Sequence, residues 1–98
     1  MSNRESKYIL RLYVAGMTPV AERALKNIEK ICETHLGSSY SIEVIDIVKE
    51  PDVAEQAQIF AVPTLVRQLP PPLRKIIGDL SNNEKVLIGL DIRPTDAR

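Results

Sequence analysis

Few side chains in this sequence are suited to chemistry. Cys32 is the only cysteine and His35 the only histidine. They stand three residues apart, so on a helix both could share one face. A two-ligand metal site built on them is conceivable, but a zinc site made of several thiolates is excluded, as is an internal disulfide. Burial of Cys32 among apolar neighbours, with His35 near a helix end, is the simpler expectation. No Ser/His/Asp set, paired-carboxylate motif or phosphate-cradling glycine loop is present. Asp46, Asp79 and Asp91 stand apart in strand-end or loop contexts, as caps and turn formers. These residues predict a non-enzymatic protein with no catalytic residues, no metal and no cofactor.

Composition narrows the class further. The chain has 98 residues, enough for a single domain with one modest core. Apolar residues make up 44% and charged residues 27%, as in a globular protein rather than a disordered one. Thirteen basic residues balance thirteen acidic ones, and a chain without basic excess is not expected to bind nucleic acid. No apolar run is long enough to cross a bilayer. Residues 1–7 are polar and lack a signal-peptide core, which predicts a mature, cytoplasmic chain.

The elements that would position a site are clearest in the first half, residues 1–50. The run Tyr8-Ile9-Leu10-Arg11-Leu12-Tyr13-Val14 is rich in strand formers. Tyr8, Leu10, Leu12 and Val14 share one face; Ile9, Arg11 and Tyr13 share the other. Thr18 can cap a helix that has Pro19 at its first position. Ala21, Ala24, Leu25, Ile28, Ile31, Cys32 and Leu36 then recur as one apolar stripe until Gly37. A second strand spans residues 40–48, where Ile45, Ile47 and Val48 crowd as on a strand covered from both sides. Strand, helix and strand with short links imply a right-handed crossover and a parallel pair. A second helix starts at Pro51 and Asp52, with Val53, Ala54, Ala57 and Phe60 facing inward.

Residues 51–98 contain conflicting signals. Ala61-Val62-Pro63-Thr64-Leu65-Val66 reads as a loop entering a strand, and Pro70, Pro71 and Pro72 stop it. Leu73 to Gly78 reads as a strand antiparallel to that one, although it could also be helical. Ser81-Asn82-Asn83-Glu84 has capping-box spacing and predicts a helix through Val86, Leu87 and Leu90. Yet Val86, Ile88, Leu90 and Ile92 also alternate as in a strand, and Gly89 costs a helix interior about 1 kcal/mol. The first reading gives the order βαβαββα, a thioredoxin-like α/β fold. In such a fold the redox turn would fall at Gly16-Met17-Thr18-Pro19, which has no cysteine, and Pro63 would take the place of the proline beside the dithiol. A thiol–disulfide or glutathione-dependent enzyme is therefore the weaker alternative.

Several blocks resemble the KaiB family of bacterial clock proteins. They are Tyr13-Val14-Ala15-Gly16, Arg23-Ala24-Leu25-Lys26, Val44-Ile45-Asp46, Pro63-Thr64-Leu65, the stretch from Leu69-Pro70-Pro71-Pro72 through Ile76-Ile77-Gly78-Asp79-Leu80-Ser81, and Glu84 to Asp91. The triple proline followed by Ile-Ile-Gly-Asp-Leu-Ser is the most specific of them. The resemblance implies a metamorphic protein. One arrangement is the thioredoxin-like βαβαββα; the other is a commonly oligomeric ground state ordered βαββααβ, with the second half rebuilt. It implies a switch centred on Pro63, Pro70, Pro71, Pro72, Ile88, Gly89 and Asp91. It further implies that the thioredoxin-like form binds a KaiC-type ATPase ring, in circadian timing or in stress regulation.

On that resemblance the partner surface would be the exposed face of the second helix, with Asp52, Glu55, Gln56 and Gln58, and nearby Lys49. Arg23, Arg74 and Lys75 are further candidates. The chain departs from its clock relatives at Glu43, at Glu55-Gln56-Ala57-Gln58 and in the tail Ile92-Arg93-Pro94-Thr95-Asp96-Ala97-Arg98, which lacks an aromatic, acidic ending. These departures weigh against capture of KaiA. Pro94 cannot donate a ladder hydrogen bond, so self-association should be weaker than in those relatives and the thioredoxin-like arrangement well populated. An adaptor for a partner other than KaiC is the remaining alternative.

Overall fold

The computed structural model describes residues 8–92. The chain runs through β1 (Tyr8–Val14), α1 (Pro19–Leu36), β2 (Tyr40–Asp46), α2 (Pro51–Gln56), β3 (Thr64–Leu69), β4 (Arg74–Ile77) and α3 (Asn83–Gly89). The strands form one sheet in the order β2-β1-β3-β4. β1 and β2 are parallel; β3 is antiparallel to both β1 and β4. This is the thioredoxin-like order, with Leu73 to Gly78 containing a strand and Val86 to Leu90 lying in a helix or at its end.

Strand alternation sorts β1 between two apolar layers. Tyr8, Leu10, Leu12 and Val14 pack with Ala21, Ala24, Ile28, Ile31, Cys32 and Leu36 of α1, and Leu65, Val86 and Leu90 join them. Each fully buried leucine or isoleucine stabilises by about 1.5–3 kcal/mol. On the opposite face Tyr13, Ile45 and Val66 meet Val53, Ala57 and Ile59. The sheet is thus sandwiched between α1 with α3 on one side and α2 on the other. The Thr18 hydroxyl accepts the Ala21 N–H at 3.1 Å, Pro19 opens α1 and Gly37 closes it at φ +60°.

Four expectations are corrected. β2 ends at Asp46 rather than Val48, because the Asp46 carboxylate accepts the Val48 N–H and its carbonyl accepts those of Lys49 and Glu50, turning the chain. β2 is covered only in part: Ile42 packs toward the α1 layer and Ile45 toward the α2 layer, but Val44 is exposed and Val48, in the turn beyond it, is exposed rather than crowded into the core. α2 ends at Gln56, and Gln58 adopts φ +57°. Ile59 therefore takes the inward place expected of Phe60. The capping box from Ser81 to Glu84 gives way to Asn82, whose side-chain oxygen accepts the Lys85 N–H at 3.0 Å; the Ser81 N–H donates to the Asp79 carboxylate instead.

The second half is joined to the first by polar contacts as well as apolar ones. Arg67 shares the α3-facing side of β3 with Leu65 and is only 2% exposed. One terminal nitrogen donates to the carbonyls of Leu90 (2.6 Å) and Asp91 (3.2 Å), and the other to that of Pro72 (2.8 Å). Its Nε has no hydrogen-bond partner. A buried cation is expensive to desolvate; here three carbonyl oxygens, two of them at the negative end of α3, offset that cost. The Asn27 amide of α1 donates to the Asp79 carbonyl at 2.7 Å, fixing the link between β4 and α3. A Cβ on Gly89 would stand 2.6 Å from the Ile76 Cδ1, so glycine lets α3 approach β4 closely. The Val62–Pro63, Leu69–Pro70 and Pro71–Pro72 peptide bonds are cis. Pro94 and the tail after Ile92 lie outside the described residues, as do residues 1–7.

Candidate docking surface

Thiol chemistry has no starting point at Cys32. The residue is fully buried, and burial, followed by the nearby Glu29 charge, pushes its thiol up to about 12. A thiol with that acidity is protonated at neutral pH and cannot attack a disulfide. Among the described residues no group of three or more His, Cys, Asp or Glu side chains could hold a metal ion.

The surface around α2 offers binding chemistry instead. Asp52, Glu55 and Gln56 are exposed on the helix, Lys49 in the turn before it and Gln58 just after it. Cross-strand pairing of Lys75 with Val66 and of Ile77 with Thr64 places both on the same side of the sheet as α2. The Lys75 ammonium donates to the carbonyls of Ala57 (2.7 Å) and Gln58 (3.2 Å), closing the carboxyl end of α2. That clamp sets the path of the chain into Phe60, which is 91% exposed beside Ile77 at 66%. Phe60, Ile77, Thr64, Ile59, Gln58 and Lys75 line a shallow cleft of about 340 Å³.

Gln56, Gln58 and Lys75 are therefore brought together, with Asp52, Glu55 and Lys49 on the adjoining helix face. The apolar members, Phe60, Ile77 and the exposed Leu73, are not evident as a group in the sequence. Arg74 and Arg23 lie elsewhere. Arg74 pairs with Arg67 and so projects from the opposite side of β4 to Lys75. Arg23 is on α1, near enough to Asp79 to help hold that carboxyl below its usual range, an effect due first to hydrogen bonds from Ser81. The residues that the family resemblance suggests for a switch are spread along the second half: Pro63 enters β3, Pro70, Pro71 and Pro72 connect β3 to β4, Ile88 and Gly89 end α3, and Asp91 follows at φ +54°.

Residues 11–92 match the sequence pattern of the KaiB domain. The chain belongs to the KaiB family. It is 49% identical over 89 residues to circadian clock protein KaiB3 of a Synechocystis species, covering 91% of this chain and 87% of that one. It is 53% identical over 92 residues to the circadian clock oscillator protein KaiB of Acaryochloris marina, covering 94% of this chain and 88% of the relative. Its fold is similar to that of the N-terminal domain of Synechococcus elongatus SasA, with a TM-score of 0.73 at 16% identity over 95% of this chain and 91% of that one. Yeast mitochondrial thioredoxin 3 also shares the fold, with a TM-score of 0.69 at 19% identity, covering 90% of this chain and 80% of thioredoxin 3. The fold of this KaiB-family chain is thus thioredoxin-like. No helix among the described residues is long and apolar enough to cross a membrane.

Proposed function

We propose that this KaiB-family chain is a non-enzymatic clock or stress regulator that docks, in its thioredoxin-like arrangement, on a KaiC-type ATPase ring in the cytoplasm. The observation that carries the reading is the side of the sheet bearing α2. There an almost fully exposed phenylalanine, Phe60, stands beside Ile77 and is bordered by Lys75, Gln56, Gln58 and the acidic face of α2. Aromatic side chains surrounded by polar groups are the usual anchors of protein interfaces, while charges at the rim set register and association rate. Family membership supports a role in timing, and the βαβαββα order supports docking in this arrangement rather than in the βαββααβ one. Rebuilding of residues 51–98 between the two arrangements is part of the same proposal. The switch would involve Pro63, Pro70, Pro71, Pro72, Ile88, Gly89 and Asp91.

The test mixes the purified chain with its cognate KaiC-type ATPase and ATP and follows comigration on size exclusion over hours. The expected result is a complex that Phe60→Asp weakens at least ten-fold. No comigration after prolonged incubation would contradict the proposal.

A further inference from the structure

Beside the Phe60 strip lies a second cleft of about 260 Å³, whose walls include Arg11, Tyr13, Gln56, Gln68, Leu73 and Lys75. Tyr13 is completely buried; its hydroxyl oxygen lies beside the Arg11 guanidinium, which it helps keep charged, but makes no hydrogen bond of good geometry, and its own proton has no acceptor. Leaving such a group unpaired costs about 1–3 kcal/mol, so buried hydroxyls are nearly always satisfied. This one belongs to a wall where two amide side chains and two cations converge. The Arg11 ion pair with Glu43 uses only Nε, at 3.1 Å. The Lys75 ammonium donates to two neutral carbonyls, so those bonds leave its charge without an anion. No carboxylate lines the cleft. The site is therefore rich in donors and positive charge and lacks the group that would complete it.

We infer that the cleft receives the carboxylate of an aspartate or glutamate side chain from the protein that docks on the α2 side. The Tyr13 hydroxyl donates to it, and Arg11 and Lys75 neutralise it. The inference rests on the docking surface proposed above and adds the chemistry that surface selects. A protein side chain is favoured over a free metabolite because the cleft is bordered by exposed Leu73 and adjoins Phe60 and Ile77. Apolar neighbours of the incoming carboxylate would cover that strip.

The test titrates isotopically labelled chain, followed by amide NMR shifts, with three probes: a blocked tripeptide with glutamate between two leucines, its glutamine counterpart and sodium acetate. The glutamate peptide should perturb residues 11, 13, 56, 57, 68 and 75, with the other two probes at least ten-fold weaker. Tyr13→Phe should melt no lower than the natural chain, since it removes an unpaired hydroxyl, yet bind the glutamate peptide at least ten-fold less tightly. Equal binding of the glutamine peptide, or unchanged binding by Tyr13→Phe, would overturn the inference. So would acetate binding as tight as the peptide, which would mark a small-carboxylate site, or a clear loss of stability in Tyr13→Phe, which would mean the hydroxyl is bonded internally. Comigration with the ring but no peptide response would sink this inference alone. A peptide response without comigration would instead remove the KaiC-type ring as partner and leave the cleft's preference for carboxylate standing.

Discussion

β1 and α1 are held by continuous apolar packing, in which five strand residues and six helix residues are buried. β4 and α3 have far less: β4 has no fully buried residue and α3 only Val86. They are held by the backbone ladder between β3 and β4, by Leu80, Leu90 and Ile92 buried on either side of α3, and by a small set of directed contacts: the Arg67 guanidinium on the Leu90, Asp91 and Pro72 carbonyls, Lys75 on the end of α2, and Asn27 on Asp79. A region with few buried side chains on its own elements and several single directed contacts is released at lower cost than one built on a continuous core. The rebuilding proposed for residues 51–98 would start in the half whose elements bury less.

The largest expected effect is in the first half. Ile28→Ala leaves a hole in the core under the sheet and should cost about 2–5 kcal/mol, with amide protection lost throughout the domain in a denaturant series. Arg67→Ala should cost about 3 kcal/mol, as when one partner of a buried charge cluster is removed, but unevenly. Hydrogen exchange should accelerate at residues 83–92 well before residues 9–14. Equal acceleration in both regions would break the contrast.

A third effect depends on pH. Burial raises the Cys32 thiol to about 12 in the folded chain, so above the ordinary thiol value of 9.0 the unfolded chain loses a proton that the folded chain keeps. Stability is therefore complete below pH 9 and falls as pH rises toward 12, by at most about 1.4 kcal/mol per unit. Tyr40, also raised by burial first, acts in the same direction. Cys32→Ala should flatten the slope of stability measured in denaturant between pH 9 and 11. Asn82→Ala removes the cap of α3 and should cost about 1 kcal/mol, seen as faster exchange confined to that helix. Least of all, Glu43→Gln breaks the exposed ion pair with Arg11 and should change stability by under about 1 kcal/mol.

The elements set by local signals are legible in the sequence. Thr18-Pro19 starts α1, alternation along Tyr8 to Val14 sorts the two layers, and the Pro-Pro-Pro run separates β3 from β4. Features set by tertiary context are less so. Periodicity carries the stripe of α2 on to Phe60 because it does not reveal that Gln58 turns left-handed; the exposed aromatic of the candidate docking surface thus reads as core. Arg67 reads as an ordinary strand arginine. The signal that could have exposed it is its place two residues after Leu65, on the buried face of a strand that turns out to be central. Asn82 and Ser81 are equally good caps by type, and only the turn made by Asp79 decides between them. Of the docking surface, the polar residues on α2 are legible through family resemblance, whereas Lys75 as a clamp and Ile77 beside Phe60 depend on strand register.

The most direct test of the account is backbone NMR of the labelled chain bound to its cognate KaiC-type ring. The account predicts helical carbon shifts for Asn83 to Gly89 in the complex, with the strongest line broadening at α2, Phe60 and Lys75–Ile77. Strand shifts from Val86 to Ile92, or broadening centred on the outer face of α1, would contradict it.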